Sequence, residues 1–221
     1  RLGAGDDSGE PMISAALLRD AAEWRMIGLL FECPGEGWHA QVAALAQEVA
    51  DHALKSAAGA MGDDATPSLY QTTLGPGGPA APREVSHRAT IMPGQMLEQL
   101  GAFYEAFAYR PAIAEPPDHV AVMTGFIAYM RLKEAYAVER GDTGQATIVA
   151  DAARRFIDDH LNTVAEPLAA SLANSGIQYL AQAAAALVRR AGPRREAATG
   201  QPPSIEECAS AGGCAWPDEA E

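Results

Sequence analysis

The stretch "EPPDHVAVMTGFIAYM", residues 115–130, decides the fold class. Its second half sets Met123, Phe126, Ile127 and Met130 at i, i+3, i+4 and i+7, the spacing of one face of an α-helix. The pattern continues to about Arg140, where "GDTG" breaks it. The first half cannot be helical, because Pro116 and Pro117 fix φ and push the residues before them toward extended backbone. Asp118 then stands where the N-cap of the following helix belongs, its carboxylate able to accept backbone N–H bonds at the positive helix end. The reading is a stiff, charged elbow leading into a long amphipathic helix.

The same periodicity extends in both directions. A helix from about Pro93 to Tyr109 precedes the elbow, with Met96, Leu100, Phe103, Tyr104 and Phe107 on its apolar face. Another runs from about Ile13 to Phe31, with Ser14 as N-cap and Leu17, Leu18, Ala21, Trp24, Ile27 and Gly28 recurring at helical spacing. Trp24 and Phe103 are expected in the core. Further helices are expected over about 37–58 (Trp38, Val42, Leu45, Val49, Leu54), 145–162 and the Ala-rich 165–190. Between residues 59 and 92 lie a short apolar piece, "SLYQTTL", and the Pro- and Gly-rich "GPGGPAAPREVSHR", which cannot form a regular element. Long irregular loops in compact domains are uncommon and often functional. No segment alternates with the period of a strand. The expectation is an all-α, single-domain helical bundle over 13–191, with a flexible segment at 1–12 and a tail of Pro, Gly, Ala and Glu at 192–221.

Composition narrows the function classes. The chain has 221 residues, 48% of them hydrophobic, enough for one real core. Twenty-nine acids against 16 bases give a formal net charge of −13. Such a surface repels phosphates, so no nucleic-acid partner is expected, and it attracts basic peptides. No apolar run approaches the about 18 residues of a membrane span, so no stable membrane insertion is expected. "RLGAGDDSGE" at the start has no apolar core of a secretion signal, and the sparse cysteines, Cys33, Cys208 and Cys214, do not suggest a disulfide framework. A cytoplasmic location follows as the expectation. The tail pair Cys208 and Cys214 reads as two exposed thiols, with a local disulfide or a transient metal site as the alternatives.

Enzyme signatures are weak. His39, His52, His87, His119 and His160 form no tight metal motif, and no metal or other cofactor is expected. There is no nucleophile elbow, and "GPGGP" has no preceding strand to make it a phosphate loop. The one pair suited to acid–base work is Asp118-His119.

Several segments, in order, resemble the TorD/DmsD/NarJ family of redox-enzyme maturation chaperones. "EPPDHVAVMTGFIAYM" resembles the family's E-x-P-D-H signature and its following helix. "LGPGGPAAPREVSHR" resembles its Gly-Pro loop, and "LGAFYEAFAY" the aromatic helix before the elbow. "ARRFIDDHLNTVAEPLAASL" resembles its F-x-x-x-H-L segment, and "LLFECP" its leucine-rich first helix. The departures are Arg83 in place of a loop proline, Asn162-Thr163-Val164 where a Trp often follows, and Met123-Thr124-Gly125 where acids are common. Leu69, Tyr70, Thr72 and Thr73 stand where an aromatic-rich surface is usual.

The resemblance covers about residues 15–190. It implies an all-helical cytoplasmic chaperone, not an enzyme. Its implied partner is the catalytic subunit of a molybdenum-cofactor oxidoreductase, whose twin-arginine leader it binds before cofactor insertion and export. A monomer or a domain-swapped dimer is the expected state. In that reading Glu115, Pro116, Asp118 and His119 form the polar end of a leader-binding groove. Leu69, Gly75, Pro76, Pro82, Tyr104 and Phe107 border its apolar part. If Asp118 is occupied as a cap, Glu115 meets the arginine. Two other readings stand beside it: a structural helical subunit of an oxidoreductase complex, and a small helical enzyme using Asp118-His119.

Overall fold

A computed structural model of the chain describes residues 10–62, 65–88 and 92–193. The described residues form α1 (Glu10–Leu30), α2 (Trp38–Glu48), α3 (His52–Gly59), α4 (Pro67–Thr73), α5 (Pro93–Ala106), α6 (Val120–Glu139), α7 (Thr143–Phe156), α8 (Asn162–Ala173) and α9 (Gln178–Ala191). A 3₁₀ turn at Glu84–His87 and a π-turn at Ile157–Leu161 complete the regular structure. Among the described residues there is no strand, only an isolated antiparallel bridge between Arg83 and His119. The protein is all-α.

α6 is the axis of the bundle. Residues on most of its circumference are buried, from Val120 through Met130, which is the mark of a helix packed on all sides. α1 lies antiparallel against it: the Ser14 hydroxyl donates to Glu139 (2.8 Å), Arg131 pairs with Asp20 (2.9 Å), and Gly28 faces Thr124. A Cβ on Gly28 would lie 2.6 Å from the Thr124 hydroxyl oxygen, so the close approach of the two helices depends on that glycine. α7 packs on another side of α6, and α9 closes the bundle against α1 and α3. Arg190 at the end of α9 pairs with Asp20 (2.6 Å) and Glu23, and Arg189 pairs with Asp51 (3.1 Å). Trp24 and Phe103 are both buried.

Several boundaries differ from the periodicity. α1 begins at Glu10, so Ser14 is no cap but an interior, buried residue bonded across to α6. The helix expected over 37–58 is two, because Val49 turns extended at φ −76°, ψ 148°. The freed N–H groups of Ala50 and Asp51 donate to the buried Glu23 carboxylate (2.9 and 2.8 Å), and Asp51 caps α3. This break depends on a partner 27 residues away in sequence, which no local pattern reveals. The Ala-rich helix expected over 165–190 is also two: Gly176 at φ 75° breaks it, and the Ser175 hydroxyl accepts the Ile177 N–H (3.1 Å). "SLYQTTL" belongs to α4, capped by the Thr66 hydroxyl with Pro67 in the first turn. α5 stops at Ala106, three residues early, where Ala108 takes a left-handed conformation (φ 54°) and the Tyr109 N–H returns to Tyr104 O (2.8 Å). Apart from Gly192 and Pro193, the expected tail, with Cys208 and Cys214, lies outside the described residues, as do residues 1–9.

Candidate functional site

The elbow is held by three tethers. The Tyr104 hydroxyl donates to Pro117 O (2.7 Å). The chain at Pro82–Glu84 pairs with it as a short antiparallel strap, Val120 N–H to Pro82 O (2.9 Å) and Glu84 N–H to Asp118 O (3.0 Å). The third is ionic: Asp118 is fully buried and accepts two bonds from the Arg83 guanidinium (2.9 and 2.8 Å) and one from the Val85 N–H (3.2 Å). Asp118 is therefore not the N-cap expected of it. His119 is: its Nδ1 accepts the Ala121 N–H (3.2 Å), one residue nearer the helix. Arg83, a departure from the family pattern, supplies the guanidinium that draws Asp118 away.

The cap fixes the direction of a buried chain of hydrogen bonds. With Nδ1 an acceptor, neutral His119 carries its proton on Nε2 and donates to the Tyr70 phenol oxygen (3.2 Å). Tyr70 in turn donates to Glu115 (2.9 Å). Burial holds the His119 imidazole well below its usual range, at about 4, against the opposing pull of Glu115 and Asp118 and with Arg83 adding to the depression. Because an unfolded histidine titrates near 6.5, the unfolded chain binds more protons between about pH 6.5 and 4. The stabilisation is complete above that window and is lost as pH falls through it, about 3 kcal/mol in all. The stability gap between wild type and His119→Asn, measured by urea unfolding, should therefore narrow as pH drops from 7 to 4. A gap that stays constant would mean that His119 titrates as an exposed residue.

Beside the elbow lies a groove of about 400 Å³. Small residues form its floor: Ala21 and Ala22 of α1, and Ala121, Gly125 and Ala128 of α6. Leu18 and Leu132, each 46% exposed, stand at one end with Tyr129 beside them. Tyr109, Ala112 and Ile113 lead from the elbow to the other. A Cβ on Gly125 would lie 2.7 Å from the Tyr109 hydroxyl oxygen, so the glycine lets that ring settle onto α6. At this end the groove turns polar, with Arg25, Glu32 and Arg110 in its wall. Burial pushes the Tyr109 phenol up to about 12, with Arg25 pulling it down and Glu32 pushing it further up, so the three groups lie close together. Glu32 and half-buried Glu115 also act together: beyond burial, both charges raise the Tyr70 phenol above its ordinary value. Burial, then Glu115, raises the Cys33 thiol, which keeps it protonated and unreactive.

The structure brings the elbow together with the end of the Gly75–Pro82 loop, with Pro82 buried in the strap and Pro76 exposed. Gly75 is half-buried and donates its N–H to Tyr70 O (3.2 Å), and Pro116 accepts the His119 N–H (2.9 Å). Three expected border residues fall elsewhere. Tyr104 and Phe107 are buried in the core, packed on Phe126. Leu69 lines a separate polar cavity with Thr66, Thr72 and Gln178. Arg25 in α1 and Glu32 just past its end are not among the residues expected at the groove, because no local pattern distinguishes a rim charge from a solvated one. Asp118 and His119 are both at most 2% exposed and both engaged, Asp118 by Arg83 and the Val85 N–H and His119 by the Ala121 N–H and Tyr70. Among the described residues no group of three or more His, Cys, Asp or Glu could hold a metal ion, and no helix is long and apolar enough to cross a membrane.

The described residues thus form an all-helical bundle with a tethered proline elbow and an apolar groove whose polar end carries Glu32 with Arg25 and Arg110. A family model described as nitrate reductase delta subunit matches residues 36–170, and the chain belongs to that family. The family is one of chaperones in the maturation of molybdoenzymes, and that general role extends to this chain. The match takes in the elbow and the α6 wall of the groove but not α1. No curated protein and no solved structure matches the chain.

Proposed function

We propose that the protein binds the twin-arginine leader of a molybdenum-cofactor oxidoreductase subunit in the cytoplasm and shields it while cofactor is inserted. The observation that carries this reading is an apolar groove with Glu32 at its polar end, and with half-buried Glu115 close enough that both carboxylates act on the same phenol, Tyr70. A leader has the same polarity, a basic head and an apolar stretch. The stiff elbow needs little ordering when a guanidinium arrives, and charge-assisted bonds to carboxylates are stronger than neutral ones. Burying four or five leader side chains is worth roughly 1.5–3 kcal/mol each in gross terms. Ordering the peptide costs about 2–5 kcal/mol, besides the loss of rigid-body freedom. A net affinity near ~1 μM is expected.

Calorimetric titration of an Arg-Arg leader peptide tests it. Glu115→Gln and Glu32→Gln should each weaken binding about tenfold, about 1.4 kcal/mol, at low salt and less at high salt. Both variants should keep their helical circular dichroism. Wild-type affinity in both variants would place the leader elsewhere on the molecule.

A further inference from the structure

Two carboxylates, Asp118 in the elbow and Glu32 at the polar end of the groove, are already engaged by the chain's own arginines, in different ways. Asp118 is sealed: no part of its side chain is exposed, and it takes two guanidinium bonds and a backbone N–H. Glu32 is open. Its side chain is 13% exposed and takes a single bond from Arg25 Nη1 (2.5 Å), whose own side chain is 38% exposed. Both residues of this second pair line the groove.

Resting on the leader-binding reading above, we propose that Arg25 is an internal placeholder for a peptide arginine, occupying Glu32 in the free protein and yielding it to the guanidinium of the incoming chain. The exchange is like for like. The carboxylate loses one guanidinium and gains another, and the released Arg25 stands at the groove wall with access to water. The Arg25 side chain is already more than one-third exposed, and Glu32 keeps a guanidinium partner throughout, so the displacement is within reach of a peptide that also buries apolar side chains. The binding-competent fraction is the fraction with Glu32 free, and the apparent dissociation constant is raised by the reciprocal of that fraction. The device also selects. An apolar peptide without arginine leaves Arg25 in place, and a lysine, a point charge without the planar fork, replaces it less well.

The experiment measures affinity for an Arg-Arg leader peptide and its Lys-Lys version by calorimetry. The proteins are wild type, Arg25→Ala, Glu32→Gln, the double variant, and Arg154→Ala. The last removes one positive charge from α7 at a side chain 66% exposed, a control for net charge. Arg25→Ala should tighten Arg-Arg binding about fivefold, about 1 kcal/mol, and narrow the preference over Lys-Lys. In the Glu32→Gln background the same change should do nothing, and Arg154→Ala should do much less. The placeholder role is overturned if Arg25→Ala weakens binding or leaves it unchanged, if it tightens equally without Glu32, or if Arg154→Ala matches it. A wild type that binds neither peptide removes the leader reading itself, and the placeholder with it. Wild-type binding with an inert Arg25 removes the placeholder alone.

Discussion

Glu84→Ala is expected to destabilise the fold by about 3–5 kcal/mol, the usual cost of stripping one partner from a buried ionic cluster. Glu84 is fully buried in the strap beneath the elbow. Its carboxylate accepts from Arg88 and sits 3.1 Å from Nδ1 of His160 in the π-turn, while the other end of the Arg88 guanidinium donates to Asp159 O. Alanine would leave a largely buried guanidinium and a buried imidazole facing an empty space. Glu84→Gln should cost much less, because an amide oxygen still accepts one of these bonds. Urea unfolding of both variants makes the comparison. An alanine variant within 1 kcal/mol of wild type would mean that the strap is held by its backbone bridge to the elbow and not by this cluster.

Phe103→Ala should cost a similar about 3–5 kcal/mol, for a different reason: a cavity that rigid neighbours cannot fill. The Phe103 ring meets Phe156 edge-on at 5.4 Å and His160 edge-on at 5.8 Å, so it packs against the π-turn residue that Glu84 also engages. Its loss should lower the unfolding midpoint while the folded fraction binds leader peptide as wild type does, because Phe103 is buried and lines no part of the groove. Full stability with impaired binding would move Phe103 from the core to the binding surface.

How far the site was legible depends on the range of the interaction. Pro116, Pro117 and the helix after them are local signals, and they place the elbow correctly. The cap fell one residue away from its expected position because Arg83, 35 residues earlier, competes for the Asp118 carboxylate with a charge that a local rule does not count. The leader-binding reading implied by the resemblance sets Tyr104 and Phe107 at the groove border, and their apolar stripe packs into the core instead. A stripe shows which face is inward but not whether that face meets another helix or a cleft.

By itself the sequence determined the helical class, the central helix α6 and the rigid charged elbow at its start. All three follow from backbone restriction and from periodicities that act within a few residues. The tertiary structure alone decided where the long helices break, as at Val49, where Glu23 takes up the freed amides. It alone decided that Asp118 is sealed and Glu32 open, and that the groove runs along the α1–α6 seam. Those outcomes rest on which charged groups share a low-dielectric space and on how closely Gly28 and Gly125 let their neighbours approach. Distances across the bundle set both, and they exist only once the helices have packed.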